Sequence, residues 1–233
     1  MNPSSRQPSA ARRSRVRGHV MERDVEEVWY RAPRLTLPIP GVREFQKRYE
    51  AAVPDLPLAA VEDLVSHRAP WSEMVELIER SAPHGFLIYF RNEVHPVMAL
   101  AGDRADCVAY LMGNHIFAER MFRHDPRALM YGPLHTVIWE DHDGKAWFTV
   151  DQPSAQFGSF GIPAVTEVGI ELDHKLAALL EVLAVPVPDA LGQRSGVCAD
   201  TRARAKAGLA TADRAALANR LSVSRRCSFD VGL

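Results

Sequence analysis

Three apolar runs limit what this chain can become. Phe86-Leu87-Ile88-Tyr89-Phe90, Cys107-Val108-Ala109-Tyr110-Leu111-Met112 and Leu134 to Glu140 are each five to seven residues long and bounded by glycine, proline or charge. All three read as strands, the first as one buried on both faces and the second as another buried strand. Between them the period changes. Trp71, Met74, Val75 and Ile78 repeat at helical spacing behind Pro70 and stop at Pro83-His84-Gly85, and Val94, Val97, Met98 and Ala101 do the same before Gly102. Ile116, Phe117 and Met121 mark a short helix ending near Arg123. Asp143-Gly144 is a hairpin turn, with Ala146 to Val150 returning antiparallel. Leu172, Leu176, Leu179, Leu180 and Leu183 form the face of a last helix before Pro186. Upstream, Val61, Leu64 and Val65 predict a strand closing at Ser66-His67, and residues 152–169 read as a Gly/Pro-punctuated loop. The expectation is an α/β (α+β) fold: a mixed sheet with helices packed on it, ending in a β-hairpin and a C-terminal helix.

Charge divides the chain further. Residues 1–20 carry five arginines and no acid, residues 193–233 carry eight bases against three acids, and the whole chain sums to −1. The 172 residues between therefore hold a net charge of −11. This predicts a disordered basic tail over 1–20, an N-terminal extension over 21–59, a main domain over 60–186 and an Ala/Arg-rich tail over 187–233. Within the extension, residues 29–40 are extended and Val42, Phe45 and Tyr49 lie on one helix face. In the last tail, residues 205–221 have the composition of a weak helix. The acidic body argues against nucleic acid as a partner. No run is long and apolar enough for a membrane span, and the first tail lacks the apolar stretch of a secretory signal. Three widely spaced cysteines, Cys107, Cys198 and Cys227, form neither a disulfide framework nor a zinc ribbon, which points to a reducing, cytoplasmic setting.

One ordered set of short motifs has a known counterpart. Gly113-Asn114 follows a strand and Asp125-Pro126 ends the next helix. Gly132-Pro133-Leu134 leads into Val137-Ile138-Trp139-Glu140-Asp141, and Asp143-Gly144-Lys145-Ala146-Trp147 makes the turn. In order and spacing this resembles the bacterial domain-of-unknown-function family numbered 302, over about residues 60–185. The resemblance implies a compact α/β domain, a homodimer, and no agreed activity. The family's Asp-His pair after the second strand falls on Glu93 and Val94, with His95 one place on, and His115 stands where proline is usual.

Two groups of residues could carry chemistry. Gly113, Asn114 and His115 sit where a strand turns into a helix. Unpaired N–H groups and partial positive charge there suit a carboxylate or phosphate, though Asn114 would serve equally as a simple helix cap. Glu93, His95 and His135 lie at element ends and offer acid–base groups titrating near neutrality. No HxH, HxxxH or HExxH spacing supports a metal, and no dinucleotide or P-loop fingerprint supports a nucleotide cofactor. His142, inside Glu140-Asp141-His142-Asp143-Gly144, reads as a solvated turn, and Cys107 as a small core residue. Phe157 and Phe160 in Phe157-Gly158-Ser159-Phe160-Gly161 read as pins for a long connection, with a lid as the alternative. The leading expectation is a domain that binds a small anionic or polar molecule at Gly113, Asn114 and His115. The rivals are an acid–base enzyme acting on a small metabolite and a structural, partner-binding dimer.

Overall fold

Alternation along the strands decides which side of the sheet the helices cover. The structure is a computed structural model and describes residues 27–192. Both charged tails expected from the sequence, apart from residues 187–192 of the second, lie outside these residues. Five strands form one sheet in the order β1-β5-β4-β3-β2, from β1 (Arg34–Ile39), β2 (Leu87–Glu93), β3 (Cys107–Gly113), β4 (Leu134–Glu140) and β5 (Ala146–Asp151). Every strand pair is antiparallel, so the expected mixed sheet resolves into a meander from β2 to β5 with β1 added beyond it. The parallel contact among the described residues is the isolated bridge between Asp55 and Ile88.

Leu37, Ile39, Val108, Tyr110, Met112, Leu134, Ile138, Phe148 and Val150 all point to one side and are buried. Against them pack helix α1 (Val42–Ala52) through Phe45 and Tyr49, α5 (His115–Phe122) through Phe117 and Met121, and α7 (Pro163–Val182) through Val165, Leu172, Leu176 and Leu180. The buried phenols of this layer find partners: the Tyr49 hydroxyl meets Thr136 Oγ1 at 3.0 Å, and Tyr110 donates to Glu50 at 2.8 Å.

Two elements differ from expectation. Residues 61–65 are not a strand but part of helix α2 (Leu58–Ser66). Val61 is buried and Leu64, three residues on, packs half-buried beside it, a helical period that the short, β-branched segment concealed, while Val65 is 66% exposed. Helix α3 (Trp71–Ser81) returns beside it, and Val61, Met74, Leu77, Ile78 and Leu87 make a second, smaller core. Likewise, residues 152–169 are not a loop. They form helix α6 (Pro153–Gly158) and the first turns of α7, each beginning with proline at its first position, where a missing N–H costs nothing. The turn between them passes through Gly161 at φ 66°. Short helices α4 (His95–Met98) and α8 (Asp189–Gly192) complete the fold. The run beginning at Phe86 is fully covered only as far as Ile88, for Phe90 is 57% exposed.

Candidate functional site

The strand-to-helix turn at Gly113 is occupied by its own side chains. Asn114 has extended backbone angles and caps α5, its Oδ1 accepting from Ile116 N at 2.8 Å while Nδ2 donates to the Gly85 carbonyl at 3.0 Å. Gly113 is closely packed: a Cβ there would lie 3.2 Å from Pro133 Cβ and 3.4 Å from Tyr89 Cε2. His115 Nδ1 lies 2.8 Å from the Tyr89 hydroxyl, with the two rings 5.1 Å apart. Burial lowers the His115 pKa below its ordinary value and raises that of Tyr89. Both groups are therefore uncharged, and the His115 tautomer decides which of them donates the bond. The three residues do come together, and their contacts are those of a joint between β2, β3 and α5.

The acid–base candidates are not brought to one place. Glu93 accepts from Arg43 Nη1 at 3.0 Å and Gln46 Nε2 at 2.7 Å, and Arg43 also reaches Asp106 at 2.6 Å, so Glu93 fastens β2 to α1. His95 Nδ1 meets the Ala105 carbonyl at 3.1 Å. Glu93 pairs with Val108, whereas His115 follows Gly113, five residues along the same strand, a separation of roughly 17 Å at the strand rise. His135 alternates with buried Leu134 and Thr136 and therefore lies on the face opposite to Val108 and Glu93. One reacting atom cannot be reached by all of them. Among the described residues no group of three or more His, Cys, Asp or Glu side chains is placed to hold a metal ion. The acidic turn is accounted for by Asp141, whose Oδ1 accepts from Asp143 N and Lys145 N and whose Oδ2 accepts from Trp147 Nε1. Those bonds, that of Trp147 first, hold its pKa below the carboxylate norm. Phe157 is fully buried and meets Tyr131 edge-on, as does Phe160, so both pin the α6 segment.

The concave surface lies elsewhere, on the side of the sheet that α1, α5 and α7 leave uncovered. Register places Ala109, Val137, Thr149 and Thr36 in one row across four strands, and Cys107, Trp139, Trp147 and Pro38 in the next. A depression of about 550 Å³ is lined by Thr36, Cys107, His135, Val137, Trp139 and Thr149, with Arg34 and Asp151 among the residues at its margin. Its polar atoms are ordered: Trp139 Nε1 donates to Thr149 Oγ1 at 2.9 Å, Thr149 and Thr36 hydroxyls meet at 3.2 Å, and Arg34 Nε reaches Asp151 at 2.8 Å. Trp139 and Trp147 stack at 6.4 Å. Burial, with the Asp106 charge second, pushes the Cys107 thiol up, so it stays protonated and unreactive near neutrality. Of these residues only His135 stands out from the sequence as a site candidate. A signal was present, since Cys107, Ala109 and Leu111 alternate with Val108, Tyr110 and Met112 and both sets are apolar. A second apolar face implied something to cover it.

Among the described residues no helix is long and apolar enough to cross a membrane. No curated protein matches the chain. Among solved structures, the crystal structure of an uncharacterized conserved protein DUF302 from Bacillus stearothermophilus is similar at 16% identity, covering 65% of this chain and 97% of that one with a TM-score of 0.45. The model of one family, described as "Domain of unknown function DUF302", matches residues 65–183, more than half of the chain. The ordered motifs from Gly113 to Trp147 lie inside that match, and the chain belongs to the DUF302 family.

Proposed function

We propose that this domain binds a small, flat, largely apolar molecule on the uncovered face of its sheet. One observation carries the reading: a depression of about 550 Å³ with an apolar floor at Val137 and Trp139 and hydroxyls at Thr36 and Thr149. That volume falls within the range of small-molecule sites, and an apolar wall with few fixed polar groups is their usual composition. Charge argues for a neutral or cationic guest rather than the anion expected at Asn114. Arg34 is engaged by Asp151 and Arg43 by Asp106, while Glu140 has no side-chain partner among the described residues. An indole face beside carboxylates attracts cations and repels anions.

The test is quenching of tryptophan emission by a panel of neutral planar heterocycles, aromatic amines and aromatic carboxylates, on wild type and Val137→Arg. Saturable quenching by one of the first two classes, lost in Val137→Arg, supports the reading. Quenching by carboxylates alone, or equal quenching in both proteins, refutes it. Self-association has separate support, because Phe90, Val97, Met98 and Leu100 are all exposed on and just beyond strand β2. Light scattering at twice the chain mass, with quenching absent, would favour the dimer expected from the family resemblance.

A further inference from the structure

The depression on the uncovered face contains a hydrogen-bonded chain whose hydrogens can be counted. Thr36 and Thr149 are opposite one another across β1 and β5. Gln152 N donates to Pro33 O, which sets the phase of that ladder. Thr36 and Thr149 are therefore a pair without mutual backbone bonds, the kind whose side chains come closest. Their hydroxyl oxygens lie 3.2 Å apart, and Trp139 Nε1 lies 2.9 Å from Thr149 Oγ1. An indole nitrogen only donates, so the first link runs from Trp139 to Thr149. The second link uses one hydroxyl hydrogen, whichever threonine supplies it. Three donor hydrogens thus serve two bonds, and one O–H is left over in either arrangement. Of the four lone pairs on the two oxygens, two are taken and two stay open. Among the described residues neither hydroxyl has a further partner.

The two threonines therefore present a donor and open acceptors side by side, next to the apolar floor at Val137 and Trp139. A carboxylate brings acceptors alone and sets lone pairs against lone pairs. An ammonium brings donors alone and leaves the surplus O–H unmatched, and a hydrocarbon matches nothing. The complementary edge is that of a cyclic amide, whose C=O and N–H are held cis and lie on one side. Its oxygen and nitrogen are about 2.2 Å apart by the C=O and C–N bond lengths. Each can then reach one of two hydroxyl oxygens 3.2 Å apart. An open-chain peptide is excluded, because its trans amide directs N–H and C=O to opposite sides. Charge at the margin does not compete, for Arg34 is held by both oxygens of Asp151, at 2.8 and 3.3 Å. Resting on the reading of this depression as a small-molecule site, we propose that its guest is a planar lactam. The ring lies over Val137 and Trp139, and the amide edge meets Thr36 and Thr149. The bond from Trp139 polarises the chain and strengthens the surplus donor.

Equilibrium dialysis of the full chain against three matched compounds tests this. The first is 2-quinolinone, which has the whole edge; its N-methyl derivative keeps the acceptor and loses the donor; naphthalene has neither. Each is measured on wild type, Thr36→Val and Thr36→Ser. Thr36 is exposed and valine keeps its branched shape, so the strand is retained, and a thermal melt checks it. Thr36→Val should weaken 2-quinolinone about tenfold and the N-methyl compound less, while naphthalene stays within about twofold. Thr36→Ser, which restores a hydroxyl, should recover most of the loss. Equal effects of Thr36→Val on 2-quinolinone and naphthalene overturn the lactam assignment, as does retention of naphthalene with none of 2-quinolinone, and both leave the small-molecule site standing. If wild type retains none of the three, or Val137→Arg retains them equally well, the site itself fails and the lactam assignment falls with it.

Discussion

Asp173 is 2% exposed and holds three helices together, so its removal should be felt across the C-terminal layer. Its Oδ2 accepts from Gln152 Nε2 and its Oδ1 from Ser154 N, each at 2.9 Å, and the same Gln152 amide donates to Ala190 O at 2.9 Å. One carboxylate thus links the start of α6, the middle of α7 and the start of α8. Asp173→Ala leaves two buried donors without acceptors, at ~1–3 kcal/mol each, and relieves some cost of burying the carboxylate, for a net loss of about 2–4 kcal/mol. Urea denaturation followed by tryptophan emission measures it. The pH dependence gives a second check. Burial, outweighing the bonds from Ser154 and Gln152, raises the folded-state pKa of Asp173 above its ordinary value. The folded state therefore holds its proton more tightly than the unfolded one. The resulting stability is complete below the unfolded pKa and is lost as pH rises through the folded pKa. The stability difference between wild type and Asp173→Asn should accordingly shrink as pH rises from 4 towards neutrality. A loss below about 0.5 kcal/mol for Asp173→Ala, or a difference that widens with rising pH, would refute this account of the linkage.

Two further outcomes rest on close contacts. At Gly169 an added Cβ would lie 3.0 Å from both Phe157 Cβ and the Ser154 backbone, so Gly169→Ala should cost ~1–3 kcal/mol by forcing α6 off α7, a loss read as a lower urea midpoint. His115 should titrate below the ordinary histidine range in the NMR spectrum, because burial disfavours its charged form, and Tyr89→Phe should leave that direction unchanged since the phenol is not its cause. A His115 pKa above the ordinary range would contradict the burial argument.

Local signals were legible where one element answers to one period. Val42, Phe45 and Tyr49 foretold α1, and Asp143-Gly144 foretold the β4–β5 hairpin, because spacing along the chain alone decides such features. Val61, Leu64 and Val65 misled because nine residues are too few for two periods to separate, and packing against α3 settled the outcome. Pro153 and Pro163 read as loop punctuation although each opens a helix, a distinction set by the residues on the C-terminal side of each proline. The site was less legible for a different reason. Thr36 and Thr149 meet across 113 residues, and only the strand order brings them together. Asn114 was recognisable as a capping residue, but the Gly85 carbonyl that takes its amide lies 29 positions away.

The place of β1 beside β5 also sets a timetable for biosynthesis. Strand β1 is made more than a hundred residues before its hydrogen-bonding partner, which runs from Ala146 to Asp151. At ~5–20 residues per second, the interval between the two is about 5–23 s. Throughout it Leu35, Leu37 and Ile39, together with the aromatic side chains of Phe45 and Tyr49, have no finished layer to join. The nascent chain therefore carries this apolar stretch unsheltered until β5 has been made. Chaperone dependence should be concentrated in that window.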